Sequence, residues 1–77
     1  MKKISLVHLK TGRKAKIIEI DAGAGLENRF MSMGIYKGRE ITKLSSFGLK
    51  GPVAIRVGRS VLALGYGMAG KIILEAE

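Results

Sequence analysis

The sequence has 77 residues, which suffices for a single domain, residues 1–77, with a small hydrophobic core. It contains no cysteine, so disulfides and thiolate metal sites are excluded. No apolar run approaches the roughly 18 residues that a membrane-spanning helix requires. The formal net charge of +8 suits an anionic partner (nucleic acid, a membrane surface or an acidic protein), although surplus lysine can also serve solubility alone. These features together predict a soluble cytoplasmic protein.

The first part of the chain contains two β-like segments. Residues 4–9 alternate weakly, which is compatible with an edge strand or an ordered arm, and Gly12 marks a turn after them. Residues 15–20 are rich in β-branched side chains and predict the first firm strand. Ile17 and Ile18 are adjacent and break strict alternation, so we expect a bulge or a partly covered outer face in this strand.

One helix follows, and the rest of the chain is organised around it. Leu26, Phe30 and Met33 fall at i, i+4 and i+7, which places them on one helical face. Gly34 can adopt the left-handed conformation that ends a helix, and in that ending Phe30 contacts Ile35. The pattern therefore predicts a helix that begins at Leu26 and ends at Met33, with Phe30 at the centre of the core.

The second half of the chain alternates short strands and tight turns. Gly58 and Arg59 form the two-residue turn of a hairpin, and Ile41 and Leu44 are expected to point inward from their strand. Residues 65–70 are rich in glycine, which favours a single 3₁₀ turn over a regular helix. The strands expected after the helix are residues 40–44, 53–57, 60–64 and 71–75.

Short strands at this spacing predict a mainly β fold, a small barrel that removes exposed edges by closing on itself. We expect five strands, with the one helix between strands 1 and 2. A helix in that position is also compatible with a parallel crossover, but the short turns between the later strands favour antiparallel neighbours.

The sequence offers little that could carry catalysis or hold a cofactor. His8 is the only histidine and no nucleophile motif accompanies it, so we expect a surface residue. Glu19, Asp21 and Glu27 lie close in sequence and could form a weak oxygen site for a metal ion, but solvated acids are the simpler interpretation. We therefore expect no catalytic residues, no metal ligands and no cofactor, and we predict that the protein is not an enzyme.

Two apolar side chains in one loop are the leading candidates for partner binding. Strand alternation does not require Phe47 or Leu49 for the core, and glycines flank both of them. The turn after the helix supplies a second patch with one aromatic and one basic residue. Phe47 and Leu49 could instead fold back and cap one mouth of the barrel. The candidate partner-binding residues are Phe47, Leu49, Lys50, Pro52, Tyr36 and Lys37.

The order of these residues also resembles a known family. An Arg-Phe pair is followed by Met-Gly-Ile and a further glycine, and a Leu-Ala-Leu strand comes later. This order resembles the ferrous iron transport accessory protein A family, known as FeoA, over nearly the whole chain. The residues that carry the resemblance are Leu9, Gly12, Ala15, Ile17, Ile20, Arg29, Phe30, Met33, Gly34, Ile35, Gly38, Pro52, Val53, Ile55, Val57, Leu62, Ala63, Leu64, Ala69 and Ile72.

The resemblance implies an SH3-like barrel and a small cytoplasmic accessory protein of ferrous iron uptake. Such a protein would bind and modulate the cytoplasmic G-domain region of a membrane iron transporter. On this interpretation we expect no nucleic acid partner, no direct insertion into the membrane, and a monomer or weak dimer. Two alternatives remain open: a basic nucleic-acid-binding SH3-like barrel, and the regulatory SH3-like module of a metal-dependent repressor.

Overall fold

The computed structural model describes residues 2–76, which form six strands, two α-helices and one 3₁₀ turn. None of the helices within these residues is long and apolar enough to cross a membrane. In chain order the elements are β1 (Lys2–Ser5), the 3₁₀ turn (Leu6–His8), β2 (Lys14–Ile20), α1 (Ala24–Ser32), β3 (Glu40–Ser46), β4 (Val53–Val57), β5 (Ser60–Leu64), α2 (Tyr66–Ala69) and β6 (Ile72–Ala76).

All six strands belong to one antiparallel sheet with the order β1-β6-β2-β3-β4-β5. The last strand therefore lies between the first two, and β1 and β5 are the outer strands. One continuous core draws buried side chains from five of the strands, from both helices and from the 3₁₀ turn. A single sheet can contribute to such a core only if it curves around it. Phe30 of α1 lies fully buried in this core, as predicted.

The sequence predicted five strands with the helix after the first, whereas the structure has six strands with the helix after the second, so both predictions were wrong by one. Residues 2–5 form a strand because they pair with β6, with Lys2 opposite Ala76 and Ser5 opposite Ile73. The helix consequently follows the second strand rather than the first. His8 lies in the 3₁₀ turn, not in an edge strand, because the Ser5 hydroxyl accepts a hydrogen bond from the amide of Val7 and turns the chain.

The end of α1 confirms the prediction from the sequence. Gly34 has a φ of 85°, and its amide donates to the carbonyl of Met31 at 3.0 Å. The amide of Ile35 donates to the carbonyl of Phe30 at 2.8 Å, which completes a Schellman ending. The helix begins two residues earlier than Leu26 because the Glu27 amide already donates to the carbonyl of Gly23.

Two strands of the sheet contain a register shift. The predicted irregularity in β2 is confirmed, since the register to β6 shifts between Ile17 and Glu19. A second register shift, between Lys43 and Ser45 of β3, had no signal in the sequence. Lys43 points into the core because it lies two residues after the buried Ile41, on the same face of the strand, and Leu44 is half-buried, so the prediction that Leu44 points inward was wrong.

Of the predictions for the two glycine-containing connections near the C-terminus, one is confirmed and the other is wrong. The hairpin between β4 and β5 is confirmed, because Val57 pairs with Ser60 across Gly58, which has a φ of 60°. The connection before β6 is one turn of α-helix rather than a 3₁₀ turn. Its hydrogen bonds reach back four residues, from the Ala69 amide to the Gly65 carbonyl at 2.9 Å.

Candidate partner-binding surfaces

The loop of residues 47–52 is closed and fixed in shape. The Phe47 amide donates to the carbonyl of Pro52 at 3.1 Å, which ties the two ends of the loop together. Gly48 has a φ of 67°, a conformation that glycine adopts without strain. A side chain at Gly51 would collide with the carbonyl oxygen of Phe47, so only glycine allows the loop to close this tightly.

This loop projects its apolar side chains into solvent. Leu49 is 96% exposed and Phe47 is 61% exposed, and Lys50 and Pro52 are also on the surface. The alternative interpretation, in which Phe47 and Leu49 cap a mouth of the barrel, is therefore wrong. Exposed apolar side chains on a preformed loop are a typical feature of protein contact sites, since binding them costs little ordering of the backbone.

Tyr36 and Lys37 line a different surface, a concave apolar groove of about 440 Å³. The floor of this groove includes the buried Ile35, and its rim includes Met31, which is 57% exposed. Arg39 donates a hydrogen bond to the Tyr36 hydroxyl at 3.0 Å, which holds the ring in place. We call this surface the helix groove; its residues are Ile20, Glu27, Met31, Ile35, Tyr36 and Lys37.

The structure does not bring the two predicted patches together. Tyr36 and Lys37 precede β3, whereas the loop of residues 47–52 follows it, so the patches lie at opposite ends of that strand. β3 has seven residues and is roughly 20 Å long. A partner that contacts both patches must therefore span this length.

Met31 and Ile20 belong to the helix groove although no pattern in the sequence singled them out. Met31 lies away from the helical face that Phe30 and Leu26 share, and it follows Glu27 by four residues. A large apolar side chain outside the buried stripe of an amphipathic helix was the available signal. Ile20 gave no such signal, because a half-buried isoleucine at a strand end is common.

A basic cleft occupies another part of the surface, and it is partly neutralised. Its lining includes Lys10, Arg13 and Lys16, together with Glu40 and Glu75.

Within residues 2–76 no group of three or more His, Asp or Glu side chains is arranged to hold a metal ion. The acids around the start of α1, considered above as a weak oxygen site, are therefore not assembled into one.

One lysine is buried and serves the fold. Lys43 is 2% exposed, and its ammonium donates to the carbonyls of Leu6, Val7 and Leu9 at 3.2, 3.2 and 2.7 Å. Burial lowers the pKa of this amine below its ordinary value of 10.5. The side chain adds a donor to the Leu6 carbonyl, which also accepts from the Leu9 amide, and provides donors to the Val7 and Leu9 carbonyls, so it attaches the N-terminal segment to β3.

Solved structures identify the class to which this fold belongs. FeoA of Stenotrophomonas maltophilia complexed with zinc, described as a prokaryotic SH3 domain protein, superposes with a TM-score of 0.79 at 21% identity. That comparison covers 94% of this chain and 89% of the other. The chain is thus a small SH3-like domain, mainly β.

The sequence itself then identifies the family. The model of the FeoA domain matches residues 4–76, so the chain belongs to the FeoA family, whose members are involved in ferrous iron transport. The "Putative Fe(2+) transport protein A" of Methanocaldococcus jannaschii is 37% identical over 70 residues, which cover 91% of this chain and 83% of that protein. The crystal structure of an iron uptake regulatory protein, FeoA, has a TM-score of 0.86 at 29% identity and covers 97% of each chain.

Proposed function

We propose that this protein is a non-enzymatic cytoplasmic accessory of ferrous iron uptake that binds the G-domain region of the membrane iron transporter and modulates it. Membership of the FeoA family supports the link to iron transport. The observation that carries the binding role is the closed loop of residues 47–52, with Leu49 96% exposed. Such a side chain contributes nothing to the core, and burying it against a partner would stabilise a complex.

The loop is the primary contact in this proposal, and the helix groove is the secondary one. Phe47 and Leu49 act as apolar anchors, and Pro52 stiffens the end of the loop. Lys50 lies beside Leu49 and faces an acidic rim of the partner, where it contributes mainly to the rate of association. Tyr36 and Lys37 offer a second position for a partner long enough to reach along β3.

The test is a binding measurement between the purified protein and the purified cytoplasmic G-domain region of the transporter. Phe47→Ser combined with Leu49→Ser should weaken binding by about tenfold or more, because anchor residues carry most of the energy of an interface. Met31→Ser, which removes an exposed apolar side chain from the helix groove, tests the secondary contact and should weaken binding less than the double variant does. Both variants should melt close to the wild type, since neither alters the core.

Two results would contradict the proposal. Wild-type affinity in the folded double variant would show that the loop is not the interface. A large loss of affinity in Met31→Ser, with no loss in the double variant, would show that the interface is the helix groove and not the loop. Binding of the wild type to random oligonucleotides, with an affinity that falls steeply with salt, would instead favour the nucleic-acid alternative.

The part of the chain that the structure describes does not include the DNA-binding element of a repressor. Within residues 2–76 the two α-helices are α1 and the four-residue α2, and three strands separate them. These elements do not form a helix-turn-helix.

A further inference from the structure

β5 presents a free backbone edge. It is an outer strand of the sheet, and among residues 2–76 it pairs only with β4. In a hairpin with a two-residue turn, the residues that flank the turn (here Val57 and Ser60) exchange hydrogen bonds, and bonded and non-bonded pairs alternate from there. Val61 and Ala63 therefore direct their N–H and C=O groups away from β4. Outside the β4–β5 ladder, no backbone hydrogen bond among residues 2–76 engages these groups.

This edge carries none of the features that usually protect an outer strand. Proteins protect such edges with charged residues, proline or bulges. β5 reads Ser-Val-Leu-Ala-Leu, and its register to β4 is continuous. Val61 is 58% exposed and Ala63 is exposed as well. The opposite edge differs, since β1 carries Lys2 and Lys3.

The surroundings of the edge are uniformly basic. No acidic residue occurs between Ile41 and Leu74. Arg59 in the hairpin turn and Arg56 on β4 are both exposed. The guanidinium of Arg39 lies against Gly58 at the same end of the strand. Three arginines thus surround the start of β5.

The other end of β5 has a different character. Leu64 pairs with Val53, the first residue of β4, so the end of β5 lies beside the loop of residues 47–52. That loop presents the exposed Phe47 and Leu49. A chain laid along β5 would therefore meet positive charge at one end and apolar side chains at the other.

We propose that β5 binds an extended acidic segment of another protein by strand addition. The added strand runs antiparallel to β5, the more stable of the two pairings. Its apolar residues lie beside Phe47 and Leu49, and its acidic residues follow toward its C-terminal end, beside Arg56 and Arg59. Its backbone completes the hydrogen bonds of Val61 and Ala63.

Charge and hydrogen-bonding capacity favour an acidic peptide over a second copy of the chain or a nucleic acid as the partner of β5. A second copy of the chain paired through β5 would bring two surfaces that are both basic into contact, and each molecule carries a net charge of +8. A nucleic acid matches the arginines, but its phosphate oxygens only accept hydrogen bonds. They leave the outward carbonyls of Val61 and Ala63 without donors. An extended acidic peptide supplies both the charge and the donors.

This inference goes beyond the binding function proposed above and does not depend on which protein supplies the segment. The probe is a short fluorescent peptide with valine and threonine in its N-terminal half and glutamate in its C-terminal half, titrated by fluorescence polarisation. Val61→Pro removes one outward amide and should weaken binding by about tenfold or more. Val61→Thr keeps that amide and should stay within about twofold of the wild type.

A modified peptide and a second measurement, both used with the wild-type protein, test the proposal even if Val61→Pro is unstable. N-methylation of the alternate peptide amides that face β5 should abolish binding to the wild type. Amide hydrogen exchange of the wild type should slow at Val61 and Ala63 when the unmodified peptide binds. Equal binding of the N-methylated peptide, protection confined to the loop of residues 47–52, or a wild-type dimer through β5 in sedimentation would each overturn the proposal.

Discussion

The ammonium of Lys43 lies 2.7 Å from the carbonyl oxygen of Leu9, 34 residues earlier in the chain. The same ammonium also donates to Leu6 and Val7, so one side chain satisfies three backbone carbonyls. Lys43 is buried, and within residues 2–76 no carboxylate is among its hydrogen-bond partners. The partial negative charges of the carbonyl oxygens offset part of the cost of removing the ammonium from water.

Replacing Lys43 by methionine should lower the free energy of unfolding by about 1–3 kcal/mol, because the Val7 and Leu9 carbonyls lose the ammonium as a donor and the Leu6 carbonyl keeps only the Leu9 amide. Methionine retains most of the apolar stem, so the change tests the ammonium rather than the packing. Urea unfolding measures the difference, and Lys50→Met, on the exposed loop, is the control. An unchanged midpoint for Lys43→Met would show that water replaces the ammonium without cost.

The lowered pKa of Lys43 predicts a pH dependence with a definite sign. In the window between the folded pKa and 10.5, the unfolded chain binds more protons at this site than the folded chain does. The free energy of unfolding of the wild type should therefore rise with pH relative to Lys43→Met in this window and level off above it. The other titrating lysines cancel in this comparison. A difference that is flat across the window would contradict the lowered pKa.

Phe30→Ala should lower the free energy of unfolding by about 3–5 kcal/mol, the range for emptying a buried aromatic site. In a domain of this size that is much of the total stability. Thermal and urea unfolding measure the effect. Met31→Ala, one residue further along α1 and exposed, should stay within about 0.5 kcal/mol of the wild type. Similar melting of the two variants would refute the central role of Phe30 in the core.

Gly34→Ala should destabilise the fold by about 1–2 kcal/mol, since an L-residue pays this amount for the left-handed conformation that Gly34 adopts. Gly34→Val should cost more because of its branched side chain. Gly25→Ala is the matched control: it lies in the first turn of α1, where an added methyl meets open space. That variant should be neutral or slightly stabilising. Equal effects at the two positions would argue against the helix ending described above.

The purified protein should not bind ferrous iron with micromolar or better affinity. Tight sites need several ligands held together, and residues 2–76 contain no such group of His, Asp or Glu side chains. Anaerobic calorimetry with Fe²⁺ checks this, with Zn²⁺ in parallel and His8→Ala as the control variant. One stoichiometric site of micromolar or better affinity in the wild type would prove the prediction wrong, and its loss in His8→Ala would assign the site to His8.

The elements that local chemistry determines could be predicted from the sequence. The ending of α1, the hairpin turn at Gly58 and the burial of Phe30 each follow from a few neighbouring residues. These features do not depend on distant parts of the chain. The exposure of Leu49 was left open by the sequence, since no strand pattern assigned it to the core but the loop could also have folded back over the barrel.

The features that the sequence did not reveal depend on long-range pairing. β1 is short and weakly patterned, and it forms a strand only because β6 lies beside it. Lys43 faces the core on the same side of β3 as Ile41, which was unexpected because a lysine ordinarily faces solvent and its carbonyl partners lie 34 to 37 residues earlier in the chain. The helix groove likewise depends on how α1 lies relative to the end of β2, which no spacing in the sequence encodes.

The position of β6 between β1 and β2 also constrains when the domain can fold during synthesis. Both neighbours are translated early, yet neither acquires its shared partner until Ile72–Ala76 have been made and have left the ribosome. Until then the emerging chain exposes the edge of β2 that β6 later covers. The β3–β4–β5 meander can form first, because its pairings are local. Folding of this protein is therefore expected to be completed only after translation has passed its last strand.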